Sequence, residues 1–134
     1  MATSTGPASG LAERYAGALY ELADEAKTLD QVADDLRALK GMFADSEDFR
    51  RLVRSPVLKR EDQERAIAAV ASAADAQPMT VNFLRLVARN RRLFALGEMI
   101  DMYLSILATR RGEVQAKVTA AHPLSDDQIS RLEA

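Results

Sequence analysis

The apolar residues of this chain follow a helical period. Apolar side chains recur every three or four positions in six successive segments between Leu11 and Arg111. This spacing puts them on one face of an α-helix, whereas a half-buried strand alternates every second residue. Of the 134 residues, 48% are hydrophobic but only 5% are aromatic, a composition that favours packed helices over a β-sandwich. The pattern predicts an all-α fold.

Several of the predicted helices have a recognisable start. Thr28, followed three residues later by Gln31, is typical of a capping box that opens the second helix. Asp45 or Ser46 is placed to cap the short third helix. Proline is tolerated in a first helical turn, so Pro78 is expected to open the fifth helix.

Other residues predict where the helices end. The residue before a proline is pushed out of the helical region, so the third helix should stop at Ser55. Asn90 is a plausible break after the fifth helix. Gly112 follows two arginines that suit the negative end of a helix dipole, so it should end the sixth. Six helices with short connections predict a six-helix bundle over residues 11–111.

The period changes after Gly112. Val114, Ala116, Val118 and Ala120 alternate with polar residues, which predicts a strand with one solvent-facing side. A second capping box at Ser125 predicts a helix after it. Because a single strand needs a ladder partner, we expect residues 112–134 to be the truncated strand-helix beginning of an α/β C-terminal domain. Residues 1–10 are small or polar and are expected to form a disordered leader.

The composition excludes many classes of enzyme. There is no cysteine for a thiolate nucleophile, disulfide or cysteine-based metal site, and the single histidine, His122, cannot build a multi-histidine site. The glycines have neither Walker nor Rossmann spacing. We therefore expect no catalytic residue, no metal and no cofactor. The N-terminus lacks a signal peptide, and no segment is apolar enough to span a bilayer, so we expect no direct membrane insertion.

Two features have both a structural and a functional interpretation. Arg85, Arg89 and Arg92 recur at helical spacing and could bind phosphates, or they could pair with acids of a neighbouring helix. The net charge of −2 argues against nucleic acid. The first helix is apolar around most of its circumference, with small residues between Tyr15 and Leu19. One side could be core while the other forms a groove for an amphipathic helix of a partner, or all of it could be core.

Four blocks of the sequence resemble a known family. Ala12–Ala23, Phe49–Val57, Asn82–Leu93 and Val114–Gln128 are similar, in this order, to segments of the delta subunit of bacterial F-type ATP synthase. This subunit is the counterpart of the mitochondrial oligomycin-sensitivity-conferring protein. Four blocks in register cover most of the chain, so the resemblance is specific. Arg89 is a departure, because many members carry an acid there.

The resemblance implies a function without catalysis. The family is a stator component of the peripheral stalk at the cytoplasmic face of the bacterial inner membrane. Its N-terminal domain receives the N-terminal helix of an alpha subunit, and its C-terminal domain, mostly missing here, holds the b subunits. Together they tie the catalytic head to the stalk against rotational torque during proton-driven ATP synthesis. The alpha helix would contact the first and fifth helices, at Tyr15, Ala18, Leu19, Leu22, Phe83, Leu86 and Asn90.

Three alternatives remain at this stage. The chain could be a generic helical adaptor for another amphipathic helix, with only a superficial family likeness. It could bind nucleic acid through the arginine stripe, which predicts a steep salt dependence. It could also be an unrecognised hydrolase, which predicts a pocket with convergent polar groups and shifted pKa values.

Overall fold

The computed structural model describes residues 7–121, and every regular element in this part of the chain is helical. The predicted all-α fold is therefore confirmed for these residues. A single 3₁₀ turn, Leu93–Ala95, precedes the last helix. The α-helices are α1 (Pro7–Ala26), α2 (Leu29–Asp45), α3 (Glu47–Arg54), α4 (Arg60–Ala73), α5 (Pro78–Arg89) and α6 (Leu96–Ala121).

The core of the bundle lies around α6. The helices α1 and α2 both pack against α6, while α4 and α5 form a closely packed pair. Tyr103 of α6 is completely buried, and its hydroxyl donates to the carbonyl of Leu29 at 2.8 Å. Its ring also lies 5.8 Å from that of Tyr20 on α1. Tyr103 thus connects three helices, and its polar tip is satisfied as a buried hydroxyl requires.

Most of the predicted helix ends are found in the structure. The Ser46 hydroxyl accepts from the Phe49 backbone N–H at 3.1 Å and so caps α3. The helix α3 stops before Ser55, and Pro78 is the first residue of α5. The capping box at Thr28 was wrong, because the Thr28 side chain makes no cap and its hydroxyl lies 3.9 Å from the sulfur of Met79.

Three helices end without glycine. Lys27, Asp75 and Arg91 follow α1, α4 and α5, and each has a positive φ between 57° and 59°. At each end two backbone bonds close a Schellman motif, for example from the N–H groups of Lys27 and Thr28 to the carbonyls of Asp24 and Ala23. A left-handed residue with a side chain costs about 1–2 kcal/mol. Arg91 offsets this cost, since its guanidinium donates to the Leu58 carbonyl at 2.9 Å.

The predicted strand after Gly112 was wrong. Residues 113–120 belong to α6, which continues through Gly112 to Ala121. Gly112 has no positive φ, so it does not make the left-handed turn that would end a helix. Val114 and Val118 are four residues apart and therefore share one helical face, where both are exposed. An alternation of this length is compatible with either structure.

At the other end, α1 begins at Pro7 rather than at the expected Leu11. The remainder of the expected leader, residues 1–6, lies outside the described residues. The same is true of His122 and of the helix predicted from Ser125.

Candidate partner-binding groove

An open apolar groove runs between α1 and α5. It has a volume of about 650 Å³. The closest packing of these two helices is with others, α1 with α6 and α5 with α4, which leaves the space between them open. Its lining comprises Arg14, Tyr15, Ala18, Leu19, Leu22, Met79, Asn82, Phe83, Leu86 and Asn90.

The groove has a buried floor and exposed apolar sides. Leu19 is 2% exposed and Phe83 is 9% exposed, so these two side chains form part of the core as well as the floor. Leu22 is 55% exposed and Leu86 46% exposed. Leucines on both sides of one depression leave apolar area in water that a partner could cover. Ala18, one helical turn before Leu22 on α1, is exposed and adds no bulk that would close the groove.

A polar contact marks one end of the groove. The Asn90 side-chain amide donates to the Tyr15 hydroxyl at 2.9 Å. Tyr15 lies near the start of the α1 stretch of the lining, directly after Arg14, and Asn90 ends the α5 stretch, so the two helices run antiparallel along the groove. At 1.5 Å per residue, residues 15–22 and 79–90 span about 10 Å and about 16 Å, or roughly two to three helical turns.

The wall made by α5 is fixed in place by Asp35 of α2. One carboxylate oxygen of Asp35 accepts from the Gln77 backbone N–H at 3.0 Å and from the Thr80 hydroxyl at 2.7 Å. Thr80 is fully buried, so this bond satisfies a polar group without access to water. Asp35 thus supplies from another helix the N-terminal cap that Gln77 does not provide. An acid at the positive end of α5 is also favoured by the helix dipole.

A charged cluster lies beside the α5 wall. Glu64 of α4 accepts from Arg85 Nε at 3.2 Å and from Arg89 Nη2 at 2.8 Å. The Arg89 hydrogen bond, together with the weaker one from Arg85, holds the pKa of the Glu64 carboxyl below its ordinary value, against the effect of burial. Two arginines of the predicted stripe therefore pair with an acid of a neighbouring helix, as the structural interpretation of that stripe expected.

All seven residues expected at the partner surface line this one groove. The expectation missed Arg14, Met79 and Asn82, which line it too. Met79 could have been found from spacing, because it lies four residues before Phe83 and seven before Leu86 on the same helical face. Asn82 and Arg14 are exposed and polar, so a search for apolar positions passes over them.

Neither a metal site nor a membrane span occurs among residues 7–121. No three His, Cys, Asp or Glu side chains in this range come together in a group that could hold a metal ion. None of the helices described here combines the length and apolarity needed to cross a membrane.

Comparison with known proteins decides the family. The family model for the ATP synthase delta (OSCP) subunit matches residues 11–134. The chain belongs to the ATP synthase delta (OSCP) subunit family. The ATP synthase subunit delta of Rhodospirillum centenum is 57% identical over 132 residues, which cover 98% of this chain and 71% of that protein. Its counterpart in Mesorhizobium japonicum is 50% identical over 134 residues, 100% of this chain and 72% of that protein.

The family assignment confirms the resemblance seen in the sequence. The delta (OSCP) subunit is a structural, non-catalytic subunit of the ATP synthase peripheral stalk, and the relatives carry this name. It also decides against the hydrolase alternative. A delta-family chain with a helix-sized apolar groove raises the question of what the groove receives.

Proposed function

We propose that this chain is a stator subunit whose α1–α5 groove receives the N-terminal helix of an ATP synthase alpha subunit. Tyr15, Ala18, Leu19 and Leu22 would contact that helix from α1, and Phe83, Leu86 and Asn90 from α5. The observation that carries the proposal is the groove itself, which these residues line together and which remains open to solvent.

The shape of the groove supports a helical occupant. An amphipathic helix places apolar side chains at i, i+3/i+4 and i+7, a stripe about two turns long. The exposed parts of the groove have that length, and the apolar surface continues from the floor to both sides. The polar contact between Tyr15 and Asn90 would fix where the apolar stripe stops at that end of the groove.

The mechanical task explains why no reactive group is required. The rotating shaft exerts torque on the catalytic head, and the head must be held still for that work to drive ATP synthesis. A tie of this kind needs slow dissociation and stiffness. A specific interface of about 1,200–2,000 Å² with a few central anchors supplies both. The fixed start of α5 at Asp35 and Thr80 supports stiffness, because that wall does not have to become ordered on binding.

In the complete stator the chain would link this head contact to the b subunits. We assign the b-subunit contact to the C-terminal domain of the family. The complex would place the chain at the cytoplasmic face of the bacterial inner membrane as a peripheral subunit during proton-driven synthesis.

The proposal is tested by measuring the affinity of the chain for a synthetic peptide of the cognate alpha N-terminus. Leu22→Asp and Leu86→Asp each put a charge into the groove at an exposed position, so the fold should persist while affinity falls at least about tenfold. Val57→Asp is the matched control, because Val57 is 86% exposed and lies outside the groove. Equal affinity of all four proteins would contradict the proposal, and so would equal binding of unrelated amphipathic peptides.

A further inference from the structure

A second, basic depression lies against the α1–α5 groove. It is lined by Asn82, Arg85, Leu86 and Arg89. Asn82 and Leu86 also line the groove, so these two side chains form the boundary between an apolar depression and a cationic one. Any occupant that lies on Leu86 presents one flank to the two arginines.

The basic depression carries a net positive charge, and its two arginines have N–H donors that Glu64 does not use. Glu64 is 14% exposed and neutralises one of the two arginines, which are 48% and 57% exposed. The cluster therefore keeps a net charge of +1. A guanidinium has five N–H donors. In the described structure Arg85 reaches Glu64 through Nε, and Arg89 through Nε and Nη2, so both retain donors that Glu64 does not use.

Glu64 also fixes the positions of the arginines. A free arginine on a surface loses rotamer entropy when it binds a partner. Here the Glu64 carboxylate already holds both guanidinium groups in the basic depression next to Leu86. This preorganisation makes the basic depression better suited to receive a carboxylate than two unrestrained arginine side chains would be. Arg14, which lines the groove from the α1 side, adds a third cation.

We infer that the occupant of the α1–α5 groove is an amphipathic helix with at least one carboxylate on the flank that faces α5, and that Arg85 and Arg89 are the specificity-determining residues that receive it. This inference rests on the proposed function for the identity of the occupant. It adds the chemistry by which this groove selects among apolar helices, since the apolar floor alone would accept many of them.

The geometry predicts where the acid lies. A helix with its side chains is about 10–12 Å across and turns by 100° per residue. The side chains that reach the basic depression are therefore those next to the apolar stripe on one side only. A cognate alpha N-terminal segment without Asp or Glu on that side would contradict the inference.

The test is a double-mutant cycle between the full chain and the cognate alpha N-terminal peptide. In the chain, Arg85→Gln is combined with Arg89→Gln, and a triple variant adds Glu64→Gln so that no lone carboxylate remains. In the peptide, the flanking acid is replaced by Gln. Each change should weaken binding about three- to tenfold in 50 mM salt, and the losses should not add when both partners are changed. The loss should shrink in 500 mM salt.

The matched control is the double variant Arg37→Gln, Arg51→Gln. Both arginines are exposed and ion-paired, with Asp34 and Glu47, and they lie on α2 and α3. It removes the same two charges, so an equal loss would assign the effect to overall charge and overturn the inference. Additive losses in the cycle, or losses below twofold, would overturn it as well.

The two proposals fail differently. If the unchanged chain does not bind the peptide, the proposed function fails and takes the inference with it. If Leu86→Asp abolishes binding but the charge variants do not alter it, the proposed function stands and the inference alone is wrong.

Discussion

Replacing Asp35 by alanine should destabilise the bundle far more than replacing its neighbour Asp34. The Asp35 carboxylate accepts from the Gln77 N–H and from the buried Thr80 hydroxyl. Loss of a helix cap costs about 0.5–2 kcal/mol, and a buried hydroxyl left without its partner costs about 1–3 kcal/mol. The expected loss for Asp35→Ala is about 2–4 kcal/mol.

The assay is urea unfolding followed by circular dichroism at the helix band. With an m-value of about 1.5 kcal/mol/M, the expected loss lowers the midpoint by about 1–3 M. Asp34→Ala is the control, because Asp34 is 77% exposed and its ion pair with Arg37 is worth at most about 1 kcal/mol. Thr80→Val should lower the free energy of unfolding by about 1 kcal/mol. Its effect should not add fully to that of Asp35→Ala, since both substitutions remove the hydrogen bond between Thr80 and Asp35.

A urea midpoint for Asp35→Ala as high as that for Asp34→Ala would show that the Asp35 carboxylate does not stabilise the start of α5. The fixed start of α5 would then need another explanation. A functional effect should accompany the stability effect, because Met79 and Phe83 lie in the first two turns of α5 and line the groove. Asp35→Ala should therefore weaken alpha-peptide binding, although the substitution changes none of the residues that line the groove.

Three further predictions concern single side chains. Burial raises the pKa of Tyr103 to about 12 from an ordinary value of 10.0. Tyr103 therefore ionises first in the unfolded chain, and the free energy of unfolding falls between about pH 10 and 12. In urea midpoints measured against pH, Tyr103→Phe should make this fall smaller. The hydrogen bond from Arg89 lowers the pKa of Glu64, so Arg89→Gln should raise it towards the ordinary value of 4.5 in an NMR titration of the carboxyl carbon, and an unchanged titration would contradict the pairing. Asp75 has a φ of 58°, so Asp75→Gly should stabilise by about 1 kcal/mol in the same unfolding assay, whereas a loss would show that its side chain contributes to the turn.

The helices could be predicted from the sequence because their signals are local. The 3.6-residue period, the hydroxyl of Ser46 and the ring of Pro78 act within one turn of the chain. Asp35 shows the opposite case, because it caps a helix that starts 43 residues later. No local pattern contains that contact, since it depends on how α2 and α5 are packed.

Two errors in the sequence interpretation have physical causes. Glycine favours a helix end only where the chain takes a left-handed turn, and Gly112 does not. The turns that do occur use Lys27, Asp75 and Arg91, residue types that carry no such signal. The alternation after Gly112 contains Ala, Gln, Lys and Glu, which are good helix formers, so its period of two was weaker evidence than its composition.

The site required more than periodicity. The helical period of α1 places both Leu19 and Leu22 on its apolar side, but it does not show which of the two is buried in the core. The structure shows one buried and the other 55% exposed. The prediction that α1 and α5 form one binding surface depended on the family resemblance, because the two helices are far apart in sequence.

An NMR titration of the ¹⁵N-labelled chain with the alpha N-terminal peptide shows directly whether the α1–α5 groove receives that helix. We expect saturable shifts to cluster on residues 14–22 and 79–90, and Leu86→Asp to remove them. Shifts centred on α2 and α3, or no saturable shifts at all, would contradict this expectation.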